Sequence, residues 1–319
     1  MRTILFAMRV LAFCLIASGC APKEVDHNAP VTGKTPCIAL IMKSLANEFF
    51  STMAEGARKH HNDNKKTYDL VVNGMKNETD FSEQVTLIEQ MVARGVQSIV
   101  IAPADSKAII PALKRARDAG VLVINIDNRL DPNVLIEVGL TIPFVGPDNW
   151  EGAKKAGEAV ARMLTKGDAV AIVEGIPTAM NSQERCRGLR DAMDDAGMNI
   201  VSSQSGQWEM EKANSIAAAM LSEYPSLKAI LCANDSMALG VVAAVAASGR
   251  SADVKVTGFD NTSAVGEMIA NGRIVATVDQ HGDQLAVHGI ETALSVLAGN
   301  STPKDTTTAV DLVMRKDAR

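Results

Sequence analysis

Lys43 and Asn47, Asp105, Asp127-Asn128, Asn234-Asp235, Asp260-Asn261 and Asp279-Gln280 share one placement. Each stands at or just past the end of a short apolar run, most clearly in "VLVINID", "AILCAND" and "VKVTGFD". Carboxylates accept hydrogen bonds, carboxamides donate and accept, and Lys or Arg only donates. Such a set suits a ligand covered in hydroxyls, because each hydroxyl both gives and takes. A sugar or polyol also carries an apolar C–H face that an aromatic platform covers. Hydrogen bonds to a charged group contribute roughly 1.5–3 kcal/mol. An anionic ligand needs surplus positive charge instead, and Lys43 and Arg185 do not outweigh Asp127 and Asp260.

Helix capping accounts for part of this pattern, since Asn, Asp and Ser favour the position before a helix. Asp105, Asn149 and Asp235 fit caps. Asp127, Asp260 and Gln280 fit less well, because no helix obviously begins at the next residue.

The elements that must position these groups alternate in kind. "CIALIM", "YDLVV", "SIVIAP" and "VLVINID" read as strands separated by helix-length amphipathic stretches. In "TDFSEQVTLIEQMVARG", Phe81, Val85, Ile88 and Val92 recur at helical spacing. Asp80 with Glu83 fits a capping box, and Gly95 fits a stop. The pattern restarts after residue 149 with "AVAIVEG", "NIVSSQ", "AILCAND", "VKVTGFD" and "IVATVDQ". About nine such strands imply parallel sheets covered on both faces, arranged as two similar α/β lobes. A further helix, "QLAVHGIETALSVLAGN", and a final strand, "DLVMR", are free to pack on either lobe. In open parallel sheets, ligands bind beyond the carboxyl ends of the strands. Two lobes facing one another gather those ends into one pocket.

The chain has 319 residues, 47% apolar and 22% charged, enough for one large domain or two ordinary ones. A formal charge of −5 gives no basic footprint for nucleic acid. Residues 1–20 read as an export signal: Arg2, an apolar stretch, then Ala17-Ser18-Gly19 before Cys20. Small residues before a Cys resemble a bacterial lipobox, which makes Cys20 the lipidated first residue of the mature protein. Residues 21–36 read as a polar, proline-bearing tether. Cys37, Cys186 and Cys232 are expected to be free thiols, with no CxxC for a metal. His60-His61 sits late in a helix and reads as a solvated face.

"IALIMKSLANEFF", "VINID", "ERCRGL", "CANDSMALG", "VTGFDNT" and "ATVDQ" resemble, in order and spacing, the periplasmic ribose/allose-type sugar-binding proteins of ABC importers. The resemblance covers nearly all of 37–315. It implies an α/β fold of two lobes joined by three crossovers, a type I periplasmic binding protein. The N-terminal lobe is then 37–147 with 281–311, and the C-terminal lobe 148–280 with 312–319. Matching motifs assign Lys43, Asn47, Phe50, Asp127 and Asn128 to one half of the ligand site, with Phe49 beside them. Arg185, Trp208, Asn234, Asp260 and Gln280 form the other half, and Phe50 and Trp208 face opposite sides of the ring. Lys43 resembles the allose branch, whereas Asn128 fits neither the ribose nor the allose pattern, leaving hexose, pentose, amino sugar and polyol open.

The mechanism implied is hinge closure on a monosaccharide, followed by delivery to a permease with its ATPase. The protein is expected to be a periplasmic monomer, lipid-anchored through Cys20 or soluble. No cofactor, metal or catalytic group is called for. A chemoreceptor is a second expected partner. A carbohydrate-processing enzyme is the weaker alternative: acids are present, but no G-x-S-x-G, H-E-x-x-H or P-loop is. A transcriptional sugar sensor shares the fold, but an export signal stands where its helix-turn-helix belongs.

Overall fold

The computed structural model describes residues 35–315 apart from Ser301 and Pro303. Cys20, the leader and most of the tether lie outside the described residues.

β1 (Cys37–Ser44) is buried along nearly its whole length, as a central parallel strand covered on both faces must be. Its side chains alternate between two cores. Ile38, Leu40 and Met42 enter one cluster, Ala39 and Ile41 the other. Each fully buried Ile or Leu contributes about 1.5–3 kcal/mol. There follow α1 (Glu48–Asp63), β2 (Asp69–Met75), α2 (Phe81–Arg94), β3 (Ser98–Ile101) and α3 (Ile110–Asp118). β4 (Leu122–Ile126), α4 (Pro132–Glu137) and β5 (Phe144–Pro147) complete the first run. The second run comprises α5 (Asn149–Ala161), β6 (Ala169–Glu174), α6 (Met180–Asp195), β7 (Asn199–Ser205) and α7 (Met210–Glu223). It continues through β8 (Leu227–Cys232), α8 (Asp235–Ala247), β9 (Lys255–Thr257), α9 (Ser263–Ala270) and β10 (Ala276–Asp279). The chain closes with α10 (Gly282–Leu297), β11 (Thr306–Thr308) and β12 (Asp311–Met314).

The strands form two sheets of six, ordered β11-β5-β4-β3-β1-β2 and β12-β10-β9-β8-β6-β7. Every pairing is parallel except β10 with β12. Each sheet contains the doubly wound order 2-1-3-4-5, whose direction of winding reverses beside β1 in one lobe and β6 in the other. The chain passes between sheets after β5, after β10 and between β11 and β12. α10 packs on α1 and β4, in the first lobe. β12 joins the second sheet from Asp311 onward. His281 holds a left-handed φ of 53° at the second passage, and its Nε2 lies 2.9 Å from the Asp311 carboxylate at the third. That contact ties two connecting segments together.

Local chemistry follows the sequence with some differences. The Asp80 carboxylate caps α2 by accepting from Glu83 N, and Gly95 ends it at φ 79°. The Glu83 side chain takes Lys76 N instead of returning to Asp80, so the capping box is only half made. His60 is only half-exposed: its Nδ1 is 2.8 Å from the hydroxyl of the buried Tyr68. Cys37, Cys186 and Cys232 are free. β5 and β11 were not anticipated, because "FVGP" carries Gly and Pro and "TTT" has no apolar signal. Among the described residues, no helix is long and apolar enough to cross a membrane.

Candidate functional site

The carboxyl ends of both sheets face a cavity of about 260 Å³. Lys43, Asn47, Phe49, Phe50, Glu78 and Asp127 line it from the first lobe. Asn181, Arg185, Trp208, Asn234, Asp260 and Gln280 line it from the other side.

Each group is placed by a strand end or a helix start. Asn47 caps α1 through Oδ1, which accepts from Phe49 N, and its Nδ2 donates to Glu78 Oε1 at 3.2 Å. Asn234 caps α8 the same way, accepting from Met237 N, and its amide nitrogen makes no hydrogen bond to the protein. Asp235, beside it, is spent on structure: its carboxylate accepts from Thr262 N, Thr262 Oγ1 and Thr277 Oγ1. Burial pushes the Asp235 carboxyl up to about 6. Asp105 caps the turn before α3 by accepting from Lys107 N and Ala108 N. Asn149 is not the cap of α5, which is Asp148; its Oδ1 accepts from Arg185 Nε and so orients the guanidinium.

Two buried ion pairs stand across the cavity. Lys43 Nζ lies 3.0 Å from Asp127 Oδ2, and Arg185 Nη1 lies 3.3 Å from Asp260 Oδ1. Arg185 also donates to Ala233 O, and its guanidinium carbon sits 3.8 Å from the Phe259 ring centroid. Gln280 donates to Asp260 Oδ1 at 2.7 Å. Burial drives the Asp260 carboxyl upward, with Arg185 opposing. Lys43 Nζ is 5.4 Å from the Phe50 ring and 5.9 Å from that of Trp208, so both aromatics border the same space. Phe49 packs edge-on against Phe50 and against Gly282, sharing its surface between core and cavity.

Backbone strain and unsatisfied polar atoms converge here. The non-glycine residues with positive φ, among those described, are Asp127, Gln207, Trp208, Asp260, Asn261 and His281. All line the cavity or adjoin a residue that does. Such conformations cost of order 1–3 kcal/mol each and gather at functional sites. Asp127 Oδ2, Asn181 Oδ1, Trp208 Nε1 and Gln280 Oε1 are buried without a hydrogen bond. Lys43 approaches Asp127 Oδ2 at ion-pair distance but without hydrogen-bond alignment, which leaves that oxygen able to accept. Buried polar groups are normally paired, so a cluster of unpaired ones around one cavity describes its ligand. Three acceptors and one indole donor fit hydroxyls.

Of the residues expected from sequence to bind ligand, Asn128 alone does not line the cavity. Its Oδ1 accepts from Asn181 N at 3.1 Å in the opposite lobe, and its Nδ2 donates to Pro103 O. Following Asp127 through an irregular turn, it projects into the contact between lobes. Glu78 and Asn181 were missed. Asn181 stands four residues before Arg185, on the same face of α6, and that spacing was the available signal. Glu78 follows the end of β2, where the strand-end rule applied but the polar "KNETD" gave no apolar run to mark it.

Gly175 is built for Trp208. A Cβ there would stand 2.1 Å from the indole Cζ2. Gly175→Ala is expected to push the ring into the cavity and weaken binding by tenfold or more, leaving circular dichroism unchanged. Titration of that variant checks it.

A polar cavity enclosed by two doubly wound lobes, with three passages of chain between them, defines a two-lobed ligand-binding protein. The chain belongs to the periplasmic binding protein family, whose domain matches residues 38–301. It is 53% identical over 298 residues to the D-ribose/D-allose-binding protein of Pseudomonas aeruginosa, covering 92% of this chain and 93% of that one. An ABC transporter solute-binding protein of Burkholderia multivorans is 51% identical, with a TM-score of 0.87 over 88% of this chain and 100% of that one. Its structure holds an unknown ligand represented as α-D-erythrofuranose. A periplasmic solute-binding protein of Actinobacillus succinogenes, with bound D-allose, is 34% identical at a TM-score of 0.83, over 89% and 99% of the two chains.

Proposed function

We propose that this protein captures a neutral monosaccharide between its lobes and delivers it to the permease of an ABC importer, whose ATPase supplies the energy. The four unpaired polar atoms around the cavity carry this reading. A sugar ring gives hydroxyl hydrogens to Asp127, Asn181 and Gln280 and takes one from Trp208 Nε1. Lys43 and Arg185 are each matched by a carboxylate, so no net charge is demanded of the ligand at those two pairs. Phe50 and Trp208 cover the C–H faces. Binding and release suffice for this task, with no bond made or broken. D-Allose and D-ribose, bound by similar proteins according to their names, are the leading ligands. Anchoring through Cys20 rests on the lipobox-like sequence, and presentation of the loaded form to a chemoreceptor is compatible with the same closure.

Closure has its own contacts away from the ligand. α6 and α9 lack a side-chain cap of their own. The opposite lobe supplies them: Ser106 Oγ accepts from Met180 N, Asn128 Oδ1 from Asn181 N, and Glu48 Oε1 from Ser263 N at 2.7 Å. These bonds form only when the lobes meet, so they favour the closed form, and ligand adds its differential affinity. Loss of a helix cap costs about 1 kcal/mol, close to fivefold in an equilibrium. Asn128→Ala is therefore expected to weaken every sugar by about the same fivefold factor. A change in sugar preference would instead make Asn128 a ligand contact.

A thermal-shift screen against pentoses, hexoses, amino sugars and polyols tests the class. Free ligand at 100 times Kd adds about 2.7 kcal/mol of stability. Shifts with neutral sugars support the reading; shifts only with phosphorylated sugars overturn it.

A further inference from the structure

The cavity holds three carboxyl groups and two cations. Asp127 is matched by Lys43 and Asp260 by Arg185, at 3.0 and 3.3 Å. Glu78 has no cation of its own. It is 5% exposed, and its hydrogen bond to the protein is the one it accepts from Asn47 Nδ2. The charged groups facing it are Lys43 from the end of β1, Asp127 from the end of β4 and Glu209 from the start of α7. The only cation among them is already committed to Asp127. An ionised Glu78 would therefore leave one uncompensated negative charge beside two others, in a space that a neutral ligand occupies. A protonated Glu78 removes that charge. It also supplies a donor where the unpaired side-chain atoms are mostly acceptors.

We propose that Glu78 is a ligand-contacting residue that binds sugar as the neutral carboxylic acid, donating its proton to a ligand oxygen while its other oxygen keeps the bond from Asn47. The inference rests on the reading of the cavity as a site for neutral sugar. Burial pushes this carboxyl up to about 7, with Lys43 and the Asn47 bond opposing. In an open, solvated cleft the group has an ordinary value near 4.3. The sign follows: the carboxyl binds protons more tightly in the closed form, so closure takes up a proton and affinity rises as pH falls. The window lies between the ordinary carboxylate range and about 7. Within it the limiting slope is about tenfold in affinity per pH unit, and above it the dependence flattens. Glu78 thereby also selects ligands that place an accepting oxygen at its corner.

Calorimetric titration of the purified protein with D-allose and D-ribose, in two buffers of different ionisation enthalpy, reads the proton directly. At pH 6 roughly one proton is taken up per sugar bound. Glu78→Gln carries a fixed donor in the same shape, so it is expected to bind with no proton uptake and a flat profile. Between pH 5.5 and 7.5 the wild-type Kd is expected to rise by about tenfold or more. Binding without proton uptake by the wild-type protein overturns the inference and leaves the sugar reading standing. Equal uptake in Glu78→Gln overturns it too. No binding of either sugar by the wild-type protein, with thermal shifts from phosphorylated sugars alone, overturns both. The wild-type measurement stands even if the variant does not fold.

Discussion

Asp127→Ala is expected to abolish sugar binding while both lobes stay folded. Asp127 Oδ2 is an unpaired acceptor of the cavity and the partner of the buried Lys43. Removing it deletes a charged hydrogen bond to ligand, about 1.5–3 kcal/mol, and strands an ammonium group when the lobes close. Breaking a buried pair from one side costs about 3–5 kcal/mol. Either contribution alone weakens binding by more than tenfold, and together they exceed a thousandfold on the scale of about 1.4 kcal/mol per decade. Opening the cleft returns Lys43 to water, so the unliganded protein loses little. The position also holds φ at 61°, which Asp tolerates better than Ala. Asp127→Asn keeps the shape and backbone preference, and is expected to lose binding with a smaller change in melting temperature. Titration with D-allose and D-ribose, paired with thermal melts, separates the two effects. Unchanged affinity in either variant would remove Asp127 from the site.

Arg185→Ala is expected to lose binding and stability together. The guanidinium is 3% exposed and serves Asn149 Oδ1, Ala233 O and Asp260 Oδ1 while stacked on Phe259. Its removal leaves Asp260 buried without a cation, at a cost of about 3–5 kcal/mol, and orphans two neutral acceptors. For a protein of this size the melting temperature should fall by about 5–15 °C. Arg185→Lys does not rescue it, because an ammonium cannot serve three directions in one plane and stack as well. A melt of Arg185→Lys within a degree of wild type, with sugar still bound, would show that the fork and the stack do not matter. The contrast with Asp127 is informative: one residue acts chiefly at the ligand, the other also holds its lobe together.

Much of this arrangement was legible in the chain because its signals are local. The alternation of apolar runs with amphipathic stretches reports two-sided burial of parallel strands, and β1 distributes its side chains accordingly. Asp127 and Asp260 stood out because no helix started after them. The structure supplies the reason: both occupy positive φ, conformations imposed where a strand must stop and present its side chain. What stayed hidden depends on partners distant in sequence. Asn128 adjoins Asp127, yet its bond to Asn181 N is made across the cleft, and no spacing rule reports that. Glu78 lies in a polar loop with nothing apolar before it, and its importance comes from a count of charges around a cavity that only the fold assembles. β11, three threonines, is a strand because β5 offers a free edge, not because of its own pattern.

The most direct test of the account is calorimetric titration of the wild-type protein with D-allose and D-ribose near pH 6. The account predicts saturable binding of at least one of them, one sugar per chain, with competition between the two if both bind. No binding of either, together with tight binding of an anionic ligand, would contradict it and make Lys43 and Arg185 the partners of a negative charge on the ligand.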